Sequence, residues 1–188
     1  MNIPRFAALF GLALLPVAAH AHPGHGGLVA GLAHPFSGLD HTATLFAVGL
    51  LAAYQPDSRA RAVLPAGFIL AAAAGAALGF AGWALPGCEC MIAASVLALG
   101  LALAVRDIPV GLSLLFAMVL PWGLFHGNAH ALESSGQAAW FTAGFLLGML
   151  LLTAAGFALG RGLKQGAVRA LGAGIAALGG WLMLGTLA

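Results

Sequence analysis

The chain has 188 residues, 62% of them hydrophobic and 6% charged, with a mean hydropathy of +1.02. A soluble domain carries about 25% charged residues, so this chain cannot cover a water-facing surface and is read as a single integral membrane domain. The net charge of +2 comes with no basic cluster suited to nucleic acid, and two cysteines, Cys88 and Cys90, leave no disulfide framework.

Residues 1–21 read as a cleavable signal peptide. Arg5 supplies the positive start, Phe6 to Ala18 the apolar stretch, and Ala19-His20-Ala21 a small-x-small cleavage site. The alternative is a retained first span. Residues 22–188 then form the membrane domain, with His22 as the mature N-terminus.

A span needs roughly 20 apolar residues, and six segments qualify as an all-α bundle: His34–Tyr54, Ala62–Trp83, Met91–Val105, Ile108–Glu133, Ala138–Leu159 and Ala170–Leu187. Arg59, Arg61, Arg106, Arg161, Lys164 and Arg169 all fall in alternate connections, and the intervening ones hold no Lys or Arg. The positive-inside rule makes the basic side cytoplasmic. Six crossings and a translocated start then put both mature termini outside, as expected of a multi-pass protein of the bacterial inner membrane.

Trp83, Trp122 and Trp140 fall near outer span ends, as an interfacial belt would; Trp181 lies deeper and is expected to pack between helices. Gly75-x3-Gly79, Gly144-x3-Gly148 and Gly156-x3-Gly160 fit close helix packing. Phe68 and Phe80 face lipid or neighbouring helices and carry no assigned chemistry. No P-loop is present, so this subunit does not use ATP in that way.

Two segments place ionisable groups inside this oil: His34-Pro35-Phe36-Ser37-Gly38-Leu39-Asp40-His41, and Phe125-His126-Gly127-Asn128-Ala129-His130-Ala131-Leu132-Glu133. Such groups are costly in a membrane and mark ion or substrate paths. Imidazoles with carboxylates suit a divalent first-row transition metal. If a helix begins at Pro35, His34 and His41 share a face, and Asp40 and His41 lie about 10 Å deeper. Gly38 leaves room one turn below His34. In the second segment His126, His130 and Glu133 follow i, i+4, i+7 on one face, and Asn128 is a candidate hydrogen-bond partner for the ligands. Pro121 either kinks this helix or is tolerated. The alternating topology puts both motifs in the outer half on antiparallel helices. If these touch, His34 is level with Glu133 and His41 with His126. The bland alternative is that each histidine merely bonds a carbonyl, and that Asp40 only orients His41.

Weaker candidates lie outside the spans. Glu89 between Cys88 and Cys90 offers a carboxylate and thiolates, and His22 and His25 form an N-terminal pair. Solvated or inert roles serve these residues equally well.

At its two motifs the chain resembles the HupE/UreJ family of nickel/cobalt permeases. The family pattern H-P-x-x-G-x-D-H is matched by His34, Pro35, Gly38, Asp40 and His41. The pattern F-H-G-x-x-H-G-x-E is matched by Phe125, His126, Gly127, His130 and Glu133, with Ala131 in place of a glycine. The resemblance implies secondary uptake of Ni2+, or Co2+, for hydrogenase or urease maturation. The ion is then substrate rather than tightly bound cofactor, and a periplasmic metal donor is a possible partner. Protonation of imidazoles opposes metal binding, so acid is expected to weaken uptake. Two other functions use the same residues: an intramembrane zinc-dependent hydrolase and a bis-histidine haem protein.

Overall fold

The computed structural model describes residues 27–105, 112–134 and 137–187, and of Leu112 and Glu133 only the backbone. The expected signal peptide, His22, His25 and Arg106 lie outside the described residues. All regular structure among the described residues is helical: α1 (Leu28–Ala33), a 3-10 turn (His34–Phe36), α2 (Leu39–Ala53), α3 (Ser58–Phe80), α4 (Cys88–Ala104), α5 (Leu112–Glu133), α6 (Ala138–Gly162) and α7 (Gln165–Leu187). A helix satisfies its own backbone polar groups, which an apolar solvent demands. Local signals set the ends. Asp57 caps α3 by accepting the Arg59 amide at 3.1 Å. Gly87, at φ 72°, takes the left-handed turn that opens α4.

Three helices, α3, α6 and α7, are long and apolar enough to cross a membrane. The segment Leu28–Phe36 with α2 makes a fourth, bent by 81° at its break. With 17 residues, α4 reaches only about 25 Å at 1.5 Å per residue, short of a hydrocarbon core of about 30 Å. By length and composition, then, three or four of the six expected spans are found among the described helices.

The expected first span is corrected most. It does not begin as a continuous helix at His34. A separate helix, α1, precedes it, and the chain breaks at Gly38, whose backbone is extended (φ −109°, ψ 134°). His34 and His41 are therefore not stacked two turns apart on one face.

Packing is set by glycines that admit a neighbouring backbone. A Cβ on Gly127 would collide with the Ala72 backbone, and one on Gly75 with the Leu124 carbonyl, locking α5 to α3. Gly79 sits opposite Asn128 and Ala131, Gly144 against Leu28, Gly148 against Leu32, Gly156 against Phe46 and Gly160 against Ala53, so each expected Gly-x3-Gly pair lies at a helix contact. These contacts also give direction. Gly67, Gly75 and Gly79 advance along Leu120, Leu124 and Ala131, so α3 and α5 run parallel. Leu32, Pro35, Phe46 and Ala53 advance along Gly148, Gly156 and Gly160, so both sides of the break follow α6 in one sense. Gly100 meets Ala176 and Gly172 meets Ala104, so α4 and α7 are antiparallel.

Every residue of α2 from Thr42 to Ala53 is buried, which makes it the central helix. The peripheral helices expose apolar side chains instead, among them Leu70 at 70% and Leu184 at 69%. Trp83 and Trp140 are exposed, as a belt requires, but the other two tryptophans exchange expectations. Trp122 is buried in the core, and Trp181 is 65% exposed. Phe68 is fully buried and Phe80 is exposed.

Candidate metal centre

The site begins with the broken helix. Pro35 has no N–H to continue the α1 ladder, and the Gly31 carbonyl is taken by the His34 amide. The groups freed at the break find other partners. The Ser37 amide and hydroxyl both donate to the His34 carbonyl, at 3.0 and 2.6 Å. The buried Thr42 hydroxyl donates to the Pro35 carbonyl at 3.0 Å. Unpaired backbone groups at this depth would be costly, so these hydroxyls stabilise the interruption.

Helix α2 restarts beyond Gly38 with Asp40 in its first turn, where the helix N-terminus favours a carboxylate. Asp40 Oδ1 accepts the His41 backbone N–H at 2.7 Å and lies 2.6 Å from His41 Nδ1. A carboxylate accepts, so Nδ1 carries the proton and the lone pair of neutral His41 is on Nε2. His41 Nε2 is buried and has no hydrogen-bond partner. Asp40 thus orients His41, as metal-ligating histidines require. Gly38 makes this pair possible: a Cβ there would lie 2.5 Å from Asp40 Oδ1 and 2.8 Å from His41 Nδ1. Gly38→Ala is expected to push the carboxylate off His41 and lower metal affinity 10–100-fold, the usual effect of losing such a partner. Nickel titration of the purified variant checks this.

Helix α5 supplies His126 and His130 one turn apart, both buried. One ligand atom from each of His41, His126 and His130 lies within 4.8 Å of the others. The His41 ring is 4.8 Å from His126 and 4.1 Å from His130, centroid to centroid. His34 joins from the 3-10 turn with its ring 4.3 Å from His130. Phe145 packs 4.6 Å from His130 and Phe68 lies 5.6 Å from His126, so apolar rings flank the imidazoles.

The expected pairing of His41 with His126 is present. His34 meets His130, and the Glu133 side chain lies outside the described residues, so its expected level with His34 does too. The motif helices do not pack backbone to backbone over their length. Helix α2 rests mainly on α6 and α5 on α3, and the motifs meet through imidazole rings.

Asn128 serves another purpose than bonding the ligands. Its Nδ2 donates to the Trp83 and Gly75 carbonyls at 2.7 and 3.2 Å, and its Oδ1 accepts the Leu85 amide at 2.9 Å. It ties the α3–α4 connection to the turn of α5 between the two histidines. The weaker candidates diverge. Cys88 Sγ lies 3.8 Å from Asn128 Oδ1, Cys90 Sγ lies 3.8 Å from Met183 Sδ, and Glu89 is exposed. None joins the imidazole group.

Sequence reasoning missed Ser95 on α4. It is fully buried, and its Oγ lies 3.1 Å from His126 Nε2 and 3.1 Å from Thr44 Oγ1. The available signal was a lone serine in an apolar segment, since a buried hydroxyl must find a partner. Ala131, the departure from the family pattern, packs its methyl toward Gly79, where no side chain competes.

No solved structure matches this chain. A curated relative, "Protein HupE" of Rhizobium leguminosarum bv. viciae, is 40% identical over 143 residues, covering 73% of each chain. The family model described as HupE / UreJ protein matches residues 9–182. That span holds both histidine motifs and all but the last turns of α7, and the chain belongs to the HupE/UreJ family.

Proposed function

We propose that the chain is a secondary permease for a divalent first-row transition ion, Ni2+ foremost and Co2+ next, captured by His41, His126 and His130. The observation that carries this is the buried Nε2 of His41, aimed by Asp40 and without a hydrogen-bond partner, in a group of three imidazoles. Three neutral nitrogen donors suit nickel, cobalt and zinc alike, and the choice of nickel rests on the family resemblance. His34 and Glu133 are proposed as outer ligands on the way in. Membership in a permease-type accessory family supports transport over the hydrolase alternative. Imidazole centroids 4.1 and 4.8 Å apart are closer than an intervening haem allows.

The same reading keeps six crossings, with α4 and α5 completing the bundle, after a cleaved leader in the bacterial inner membrane. Strict alternation requires spans two and four to run parallel, one and five parallel, and three and six antiparallel; the glycine contacts agree on all three pairs. Tyr54 Oη donates to the Leu163 carbonyl at 2.9 Å, which joins the two arginine-bearing connections at one end. The histidines lie toward the other end, proposed as periplasmic, where a metal donor protein would approach. The recipient of the ion is proposed to be hydrogenase or urease maturation. Accumulation of radioactive nickel by intact cells lacking other nickel importers is expected to require this chain. Equal accumulation without it would overturn the assignment, and a purified protein that keeps one zinc and cleaves an ester would establish the hydrolase.

A further inference from the structure

The hydroxyl network behind His126 is not used by the capture step, and it carries a consequence for that step. Ser95 Oγ lies 2.6 Å from the Ile92 carbonyl, one helical turn back. A carbonyl cannot donate, so this short contact takes the only proton of the Ser95 hydroxyl. The two remaining neighbours, Thr44 Oγ1 and His126 Nε2, both at 3.1 Å, must then donate to the serine's two lone pairs. Thr44 is fully buried one turn beyond His41 on α2, and Ser95 is fully buried on α4. No solvent competes for these positions, so the arrangement has one proton assignment that leaves every hydroxyl satisfied. In it, neutral His126 carries its proton on Nε2 and its lone pair on Nδ1.

Resting on the permease reading, we propose that Ser95, backed by Thr44, is a positioning residue that holds the His126 proton on Nε2 and makes Nδ1 the nitrogen offered to the ion. His41 is set the opposite way, with Asp40 holding its proton on Nδ1 and its lone pair on Nε2. A carboxylate on α2 and a serine hydroxyl on α4 thus fix two ligands in opposite tautomers. Fixed tautomers place lone pairs in the site before the ion arrives, which spares it the work of reorganising buried imidazoles.

The test is nitrogen NMR of the full chain in lipid nanodiscs, with 15N-labelled histidine and the His126 signals assigned by their loss in His126→Gln. Metal-free protein is expected to show a protonated Nε2 and an unprotonated Nδ1 at His126. Ser95→Thr keeps that pattern, while Ser95→Ala gives a mixture of tautomers and nickel(II) affinity 10–100-fold lower. A His126 proton on Nδ1 in the wild-type protein, or an unchanged tautomer in Ser95→Ala, would overturn the proposal. Should Ser95→Ala not fold, the wild-type spectrum and Thr44→Val decide the same point. A protonated Nε2 in a protein that binds no nickel would refute the permease reading and leave the proton placement standing.

Discussion

Cells carrying His126→Ala are expected to lose saturable nickel accumulation by at least about 100-fold, with the protein still present in the membrane. The substitution removes one of three imidazoles whose donor atoms lie within 4.8 Å of one another. Two donors remain, and a bidentate site cannot replace the waters of a strongly hydrated ion as a tridentate site does. The change also leaves the Ser95 hydroxyl facing a void where His126 Nε2 stood at 3.1 Å, so some loss of stability accompanies it. His41→Ala is the companion test. It strands the Asp40 carboxylate, 2.6 Å from His41 Nδ1, instead of Ser95, although Asp40 keeps the His41 backbone amide at 2.7 Å, and it is expected to match His126→Ala in uptake. Radioactive nickel uptake together with immunoblots of the membrane fraction makes the comparison. Wild-type accumulation in both variants would remove the three imidazoles from any part in transport.

The second large effect is structural. Replacing a helical glycine by alanine ordinarily gains about 1 kcal/mol in helix propensity. At Gly127 the sign should reverse. The added methyl meets the carbonyl, carbon and α-carbon of Ala72, all backbone atoms with no rotamer to give. Overpacking of this kind costs about 1–3 kcal/mol, so the net change is destabilising. It also parts α5 from α3 between the two histidines that must converge with His41, and uptake should fall with stability. Gly174→Ala is the matched control. Nothing lies within 4 Å of a Cβ there, so the propensity gain stands alone and the variant should be neutral or up to about 1 kcal/mol more stable. Thermal unfolding of both variants in one detergent reads the difference. Equal midpoints would show that the α3–α5 contact is looser than the glycines indicate.

Much of the architecture was legible because oil and punctuation are local signals. Tyr54 and Ala138, expected span ends, stand at helix ends, and the expected third span begins at Cys88, three residues before Met91. The break inside the first motif was not legible. Proline suits a first helical turn, so His34-Pro35 reads as a beginning, and only the packing of Leu28 and Leu32 of α1 against α6 reveals a helix before it. Helix pairing was hidden for another reason. These segments are apolar on all sides, so no stripe marks the buried face. Trp122 and Trp181 show the consequence: they occupy similar apolar sequence, yet one is core and the other surface. At the site, histidine spacing on α5 predicted a shared face because i, i+4 is fixed by the helix. The contribution of α4 through Ser95 depended on tertiary packing that no local pattern encodes.

The charge count around the three rings bears on how long an ion would stay. Imidazole nitrogens that bind an ion bring it no charge, so among the described side chains Asp40, one position back from His41, is the carboxylate at the three rings that offsets a dication. The half-positive start of α2 cancels part of even that. In a medium of low permittivity an ion at the three rings, past the proposed outer ligand Glu133, keeps much of its charge and is held slackly there. Slack binding is ill suited to a resident cofactor and well suited to a passenger, which must be held firmly enough to enter and loosely enough to leave.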